Sequence, residues 1–196
     1  MINNRSDKSH KSNIIPPHGG YRQLKSYQTT EIIYDGTVVF CENHMTDRSY
    51  RSKDQMIQAA RSGKQNIAEA SVDSGTSKKT ELKLLGIARG SLEELLQDFL
   101  DYLRQHQLPL WDKDDPRARK IRDLAYRSDK SYETYKSYLE SDPETAANTL
   151  ICLIHQSNYL LDQQLRALEK QFLEEGGFTE RLYQKRTAYR KGKSNF

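Results

Sequence analysis

Residues 142–172 read DPETAANTLICLIHQSNYLLDQQLRALEKQF, and this stretch decides the fold class. Ala147, Leu150, Ile154, Ser157, Leu161, Leu165, Leu168 and Phe172 recur at steps of three and four. That spacing marks one face of a helix, because a turn takes about 3.6 residues. The stretch also carries its own punctuation. Asp142 is a capping residue, Pro143 suits a first turn, and Glu144 meets the positive end of the helix dipole. Gly176-Gly177 then closes the far end. One long amphipathic helix is expected.

Two further seams lie upstream. Met56, Ala60, Gly63, Ile67 and Ala70 repeat at steps of four and three, behind Ser52 and Gln55, which read as a capping box. Small residues at the centre of that seam allow another helix to approach closely. Leu85, Ala88, Leu92, Leu95, Phe99 and Leu103 form the other seam, entered at Gly75-Thr76-Ser77 and ending near Gln105-His106. An earlier helix is expected from Tyr21 to about Met45, with Leu24, Tyr27, Ile32, Tyr34, Val38 and Cys41 on its apolar stripe and Gly36 at a close crossing. Shorter helices are expected near 117–127, 131–140 and 179–189. Only three valines occur in the chain, which speaks against a large sheet. The expected fold is therefore all-α: an antiparallel four-helix bundle with an additional C-terminal helical extension. Residues 1–18 read as a disordered N-terminal tail. Residues 19–112 hold the first three helices. Residues 113–177 form a helical region that completes or extends the bundle, and residues 178–196 form a basic helix and tail.

Composition bounds the function. Hydrophobic residues make up 35% of the 196-residue chain, and the mean hydropathy is −0.90. No apolar run exceeds five residues, Leu150 to Ile154, so no transmembrane span is expected. The N-terminus lacks the apolar core of a secretion signal. Two cysteines do not make a disulfide scaffold. A soluble, cytoplasmic protein is the expectation. There are 31 Lys and Arg against 27 Asp and Glu, a net charge of +4, but the excess is placed at the ends. Residues 178–196 carry Arg181, Lys185, Arg186, Arg190, Lys191 and Lys193 against the one acid Glu180. Residues 1–13 carry Arg5, Lys8 and Lys11 against Asp7, which leaves the body slightly acidic. Basic arms on such a body suit nucleic acid, since phosphate contacts release counterions. They also suit a plain solubilising tail.

Two segments carry a family resemblance. Residues 54–70 read DQMIQAARSGKQNIAEA, and residues 81–95 read ELKLLGIARGSLEEL. Together they resemble the bacterial four-helix-bundle family named after proteins encoded in rRNA intervening sequences. That family includes the accessory variability proteins of diversity-generating retroelements. Residues 21–27, YRQLKSY, resemble its first helix. Residues 116–190 resemble the suffix extension of one branch, through the stretches NTLICLIHQ at 148–156 and FLEEGGF at 172–178. Ala70 stands where the family has glycine. The resemblance implies a four-helix bundle, a homo-oligomer such as a pentameric ring, and no catalytic activity. For the retroelement members it implies binding to a reverse transcriptase and to nucleic acid.

The residues themselves offer three kinds of chemistry. The first is a basic surface. Arg61, Lys64, Lys78, Lys79, Lys83 and Arg89 cluster on the second and third helices, and Arg181, Lys185, Arg186 and Arg190 on the last. Such side chains summed over several copies make a strong positive field. Tyr126, Tyr132, Tyr135 and Tyr138 interleave with Arg127, Lys130 and Lys136 and suit base stacking, or else sit half-buried on a covering helix. Arg61 and Arg89 also suit internal ion pairs with Glu69 or Glu93. The second is metal. Cys41 and His44, and Cys152 and His155, are each three residues apart and share a helical face, so two such faces would make one zinc shell. A buried free cysteine explains the same residues. The third is catalysis. The chain lacks a nucleophile elbow, a phosphate-binding glycine loop and a His-Glu-x-x-His motif. Glu93-Glu94 and the acids among residues 112–115 are neighbours in sequence and do not converge on one atom. His106 reads as a helix-end cap, Asn66 and Glu69 as satisfied polar groups at a close crossing, and Trp111 as an anchor for its linker. The sequence reading is a non-enzymatic helical scaffold that oligomerises and binds nucleic acid, RNA being the expected kind, as an accessory to a reverse transcriptase. It requires no cofactor. The alternative is a protein–protein assembly module without nucleic acid.

Overall fold

The computed structural model describes residues 15–45, 50–127 and 129–193. These residues form a short 3-10 turn, Tyr21–Gln23, and the helices α1 (Lys25–His44), α2 (Tyr50–Asp73), α3 (Lys78–Gln105), α4 (Pro116–Leu124), α5 (Tyr132–Leu139), α6 (Pro143–Glu175) and α7 (Phe178–Lys193). No strand occurs among the described residues, so the chain is all-α. No helix among them is long and apolar enough to cross a membrane.

The four longest helices meet in a closed cycle: α1 touches α2, α2 touches α3, α3 touches α6, and α6 returns to α1. Their directions follow from the cross-contacts. Arg89 meets Asp162 and Asn158 meets Glu93, so α3 and α6 run antiparallel. Ser26 bonds Gln164, while Gly36 lies against Leu150, so α1 and α6 also run antiparallel. Residues 74–77 turn the chain back between α2 and α3. The cores of α2, α3 and α6 follow the seams expected from spacing, except at the far end of α6, where Leu165 is half-buried and Phe172 is exposed. Met56, Ala60, Ile67, Ala70, Leu92, Leu95, Phe99, Leu150, Ile154 and Leu161 are all buried. Helices α4 and α5 cover α6 from outside, and α5 also reaches α1. By contrast, α7 packs against no other helix to a comparable extent.

Helix α1 differs from its expected stripe. Tyr34 and Val38 lie only half-buried. The buried face instead carries Ser26, Thr29, Thr30, Ile32, Ile33, Gly36, Thr37, Phe40 and Cys41. The hydroxyls are silenced locally. Thr29 donates to the Lys25 carbonyl, Thr30 to that of Tyr27 and Thr37 to that of Ile33, each at 2.7–2.8 Å. A hydroxyl bonded to its own preceding turn presents its methyl group to the core. Ser52 is a second correction. The helix already runs from Tyr50, so Ser52 lies within the first turn rather than at the cap. The remaining signals hold. Ser77 accepts the Thr80 amide, Asp115 that of Arg117 and Asp142 that of Thr145, and Ser131 forms a capping box with Thr134. Gly176 takes the left-handed φ of 69° that ends α6.

Residues 1–14 of the expected N-terminal tail lie outside the described residues. Residues 15–20 lie on the α2–α3 turn. The Gly19 amide donates to the Ser71 carbonyl at 2.9 Å. Ile15 and His18 cover Gly75, where a Cβ would meet them at 3.0 Å.

The α2–α3 contact depends on a missing side chain. A Cβ at Gly63 would come within 2.9 Å of Leu92 Cδ2 and 3.0 Å of its Cγ. Leu92 is fully buried and has nowhere to move. Gly63→Ala is therefore expected to destabilise by about 1–2 kcal/mol, overpacking outweighing the helix-propensity gain. Gly86→Ala and Gly90→Ala, whose Cβ atoms would meet nothing within 4 Å, are expected to stabilise by about 0.5–1 kcal/mol each. Urea denaturation of the three variants checks the contrast in sign.

A second prediction concerns the cap of α6. The Thr145 amide donates to Asp142 Oδ1 at 3.0 Å and holds the carboxyl below the usual carboxylate range. The folded state thus favours the ionised form. Its contribution is complete above the ordinary Asp range and is lost as pH falls through the lowered value. Asp142→Ala is expected to cost about 1 kcal/mol at neutral pH, and the difference from wild type shrinks in acid. Paired melts across that range check it.

Candidate nucleic-acid interface

The cations singled out in the sequence separate into three environments. Two are engaged by carboxylates. Lys78 Nζ lies 2.9 Å from Glu81 Oε2. Arg89 bonds both Asp162 Oδ1 at 2.9 Å and Glu93 Oε2 at 3.1 Å. Arg89 thus ties α3 to α6 as well as to its own next turn. Arg89 takes the internal ion pair with Glu93 that its spacing suggested and adds Asp162 on the facing helix, while Lys78 is drawn to Glu81 rather than left free. Lys64 is half-engaged, its ammonium 4.3 Å from the centre of the Tyr34 ring. Arg61, Lys79 and Lys83 are exposed, and no ion pair forms at them among the described residues. Arg61 therefore has neither Glu69 nor Glu93 as an ion-pair partner.

Helix α7 is different. Lys185, Arg186, Arg190 and Lys191 are all exposed. The one acid of this helix, Glu180, turns back to accept the Gly177 amide at the helix start. A carboxylate at that end suits the positive end of the helix dipole. Arg181 is half-buried, and its Nη2 is enclosed without a hydrogen-bond partner. Sequence reading missed two residues here. Tyr183 is 72% exposed and Tyr189 is 65% exposed. Their signal was available, since aromatics that interleave with cations at helical spacing on a segment lacking an apolar seam stay in water.

The tyrosines of residues 126–138 divide. Tyr135 is fully buried and its hydroxyl has no hydrogen-bond partner. Burial pushes that phenol up to about 12. Of the two alternatives for this stripe, base stacking or cover for the core, Tyr135 takes the second and goes further, to full burial. Tyr132 and Tyr138 are half-buried against the core, and Tyr126 alone is open.

The two Cys–His pairs do not meet. Cys41 is buried, and burial pushes its thiol up to about 12. His44 sits beside the Phe40 ring, and burial lowers its pKa. Cys152 and His155 face the other side of α6, near Trp111 and Tyr159. Among the described residues no three His, Cys, Asp or Glu side chains gather where a metal ion would fit. The linker residues behave as anchors. The Trp111 backbone amide donates to Asn148 Oδ1 at 2.8 Å, and its Nε1 donates to Glu144 Oε1 at 2.9 Å. The Arg117 guanidinium lies 4.4 Å from the centre of the Trp111 ring. His106 stacks on Tyr102 at the end of α3. Asn66 donates to the Ser62 carbonyl and hydroxyl, beside the Ser62–Ser91 contact that joins α2 to α3. Trp111, His106 and Asn66 thus each have a partner within the fold.

Comparison of the chain with protein-family models, with curated proteins and with solved structures finds no match.

Arg89 is expected to matter for stability rather than for binding. Arg89→Ala should cost about 1 kcal/mol, a modest value because the side chain is one-third exposed. The double variant with Asp162→Ala should cost less than the sum of the singles by about 0.5 kcal/mol. A double-mutant cycle in urea measures that coupling.

Proposed function

We propose that this chain is a non-enzymatic scaffold, an antiparallel four-helix bundle with a C-terminal helical extension, that binds nucleic acid through its last helix. Helices α1, α2, α3 and α6 are the four of the bundle, with α6 supplied by the region after residue 112. Helices α4, α5 and α7 form the additional layer and the extension. The observation that carries the functional reading is α7. It presents Arg186, Arg190 and Lys191 beside two open tyrosines and packs little against the rest of the chain. Cations track a phosphate backbone while aromatic faces take unpaired bases without regard to sequence. Single-stranded RNA is the proposed ligand. Self-association would multiply the field of one copy, and a reverse transcriptase is the partner that the family resemblance suggests.

A protein–protein role without nucleic acid has one observation of its own. Phe172 and Leu173 are exposed apolar residues on the last turn of α6, and Leu182 is another on α7. They suit a contact with another chain.

The test is fluorescence anisotropy of a labelled single-stranded RNA at several salt concentrations. Wild type is expected to bind, with log K falling linearly against log salt. Arg186→Gln, Arg190→Gln and Lys191→Gln together are expected to flatten that slope by about 2, since each lost phosphate contact removes about 0.7. Tyr183→Ala with Tyr189→Ala should weaken binding and leave the slope alone. Absence of binding at low salt, or identical slopes in wild type and the triple variant, overturns the assignment to α7.

A further inference from the structure

A groove of about 510 Å³ opens where the loop after α3, helix α4 and the approach to α5 face α6. Its apolar lining comes from Leu100, Ala118, Ala125, Ile151, Cys152 and Leu160. Four cations, Lys25, Lys113, Arg122 and Lys130, also line it, against one carboxylate, Asp112. Among the described residues none of these cations forms an ion pair. Arg122 donates to the Lys113 carbonyl, and Lys130 reaches the Ala125 carbonyl at 3.4 Å. Lys130 is half-buried, and burial followed by the charge of Lys25 pushes its ammonium below the ordinary lysine range. Two like charges thus share one part of the wall. Tyr126, 89% exposed, and Tyr159, 62% exposed, stand on the same groove.

Apolar lining open to water is unfavourable, as is the repulsion between Lys25 and half-buried Lys130, and the two occur together. A volume of this size takes a small organic ligand, with a few polar groups fixing its orientation. An apolar body with an acidic head relieves both defects at once. A nucleotide's phosphates would find the cations, but its ribose hydroxyls would lie on the apolar part of the lining. We propose that this groove binds a free anionic amphiphile, a medium-length acyl chain lying on the apolar lining with its carboxylate on Lys25 and Lys130. The assignment is independent of the nucleic-acid reading, which uses α7.

The chain reports on this groove directly, because Trp111 is its only tryptophan and lies in the groove lining. Titration of the full chain with octanoate and decanoate is expected to change Trp111 fluorescence saturably. The affinity should rise by up to about fourfold per added methylene. Decanol, which lacks the charge, should bind at least tenfold more weakly. Lys25→Gln with Lys130→Gln should weaken decanoate about tenfold, and Arg186→Gln with Arg190→Gln should not. Ala125→Phe, which fills the groove, should abolish the change while circular dichroism stays that of wild type. The proposal is overturned by the absence of a saturable change, or by equal binding of decanol and decanoate. Equal decanoate affinity in the double-lysine variant also overturns it, as does tighter binding of adenosine monophosphate than of decanoate. Phosphatidylglycerol vesicles, which keep their chains in the bilayer, should leave Trp111 unchanged. A response to vesicles in place of decanoate would reject the free amphiphile.

Discussion

Leu150, Ile154, Leu161 and Leu168 leave water together on one side of α6, and they do so against two helices at once, α1 and α3. Burying each such side chain contributes about 1.5–3 kcal/mol. Without α6 the face of α1 that carries Ile33 and Gly36 would have only α2 and the short α5 beside it. The region after residue 112 is thus part of the core and not a decoration on it. The outer helices follow from the same constraint. Leu139 of α5 enters far enough to touch the position of Gly36, and Ala118 and Ile121 of α4 are buried. Tight closure of this kind makes the shape sensitive to single methyl groups at Gly63 and Gly36.

Much of the fold was legible because three helices state their inward faces in Leu, Ile, Phe and Ala at steps of three and four. The starts of two of them, at Ser77 and Asp142, were legible too, since each places an oxygen where free amides need one. Helix α1 was misread for a physical reason. Thr29, Thr30 and Thr37 look polar in a list of residues, but a hydroxyl bonded to its own helix no longer needs water. Tyr34 looked like core, yet it lies half-buried under the Lys64 ammonium.

The candidate sites were legible only as inventory. Counting cations found the basic last helix. It anticipated Glu93 at Arg89 but neither Glu81 at Lys78 nor Asp162 at Arg89, which lies 73 residues further along the chain. Nor did it find the groove, whose walls come from five separate segments that only folding brings together. Tyr126 and Lys130 were noticed as an aromatic–basic alternation. Their setting beside apolar lining, which changes the chemistry they suit, is a tertiary fact.

The joint at Gly176 has a mechanical consequence. Its left-handed backbone ends one rod and starts another of 16 residues, about 24 Å long at 1.5 Å per residue. Rotation of about 20° at that single hinge would carry the far tip through about 8 Å. The place of the second rod's far cations therefore depends on the backbone geometry of one residue.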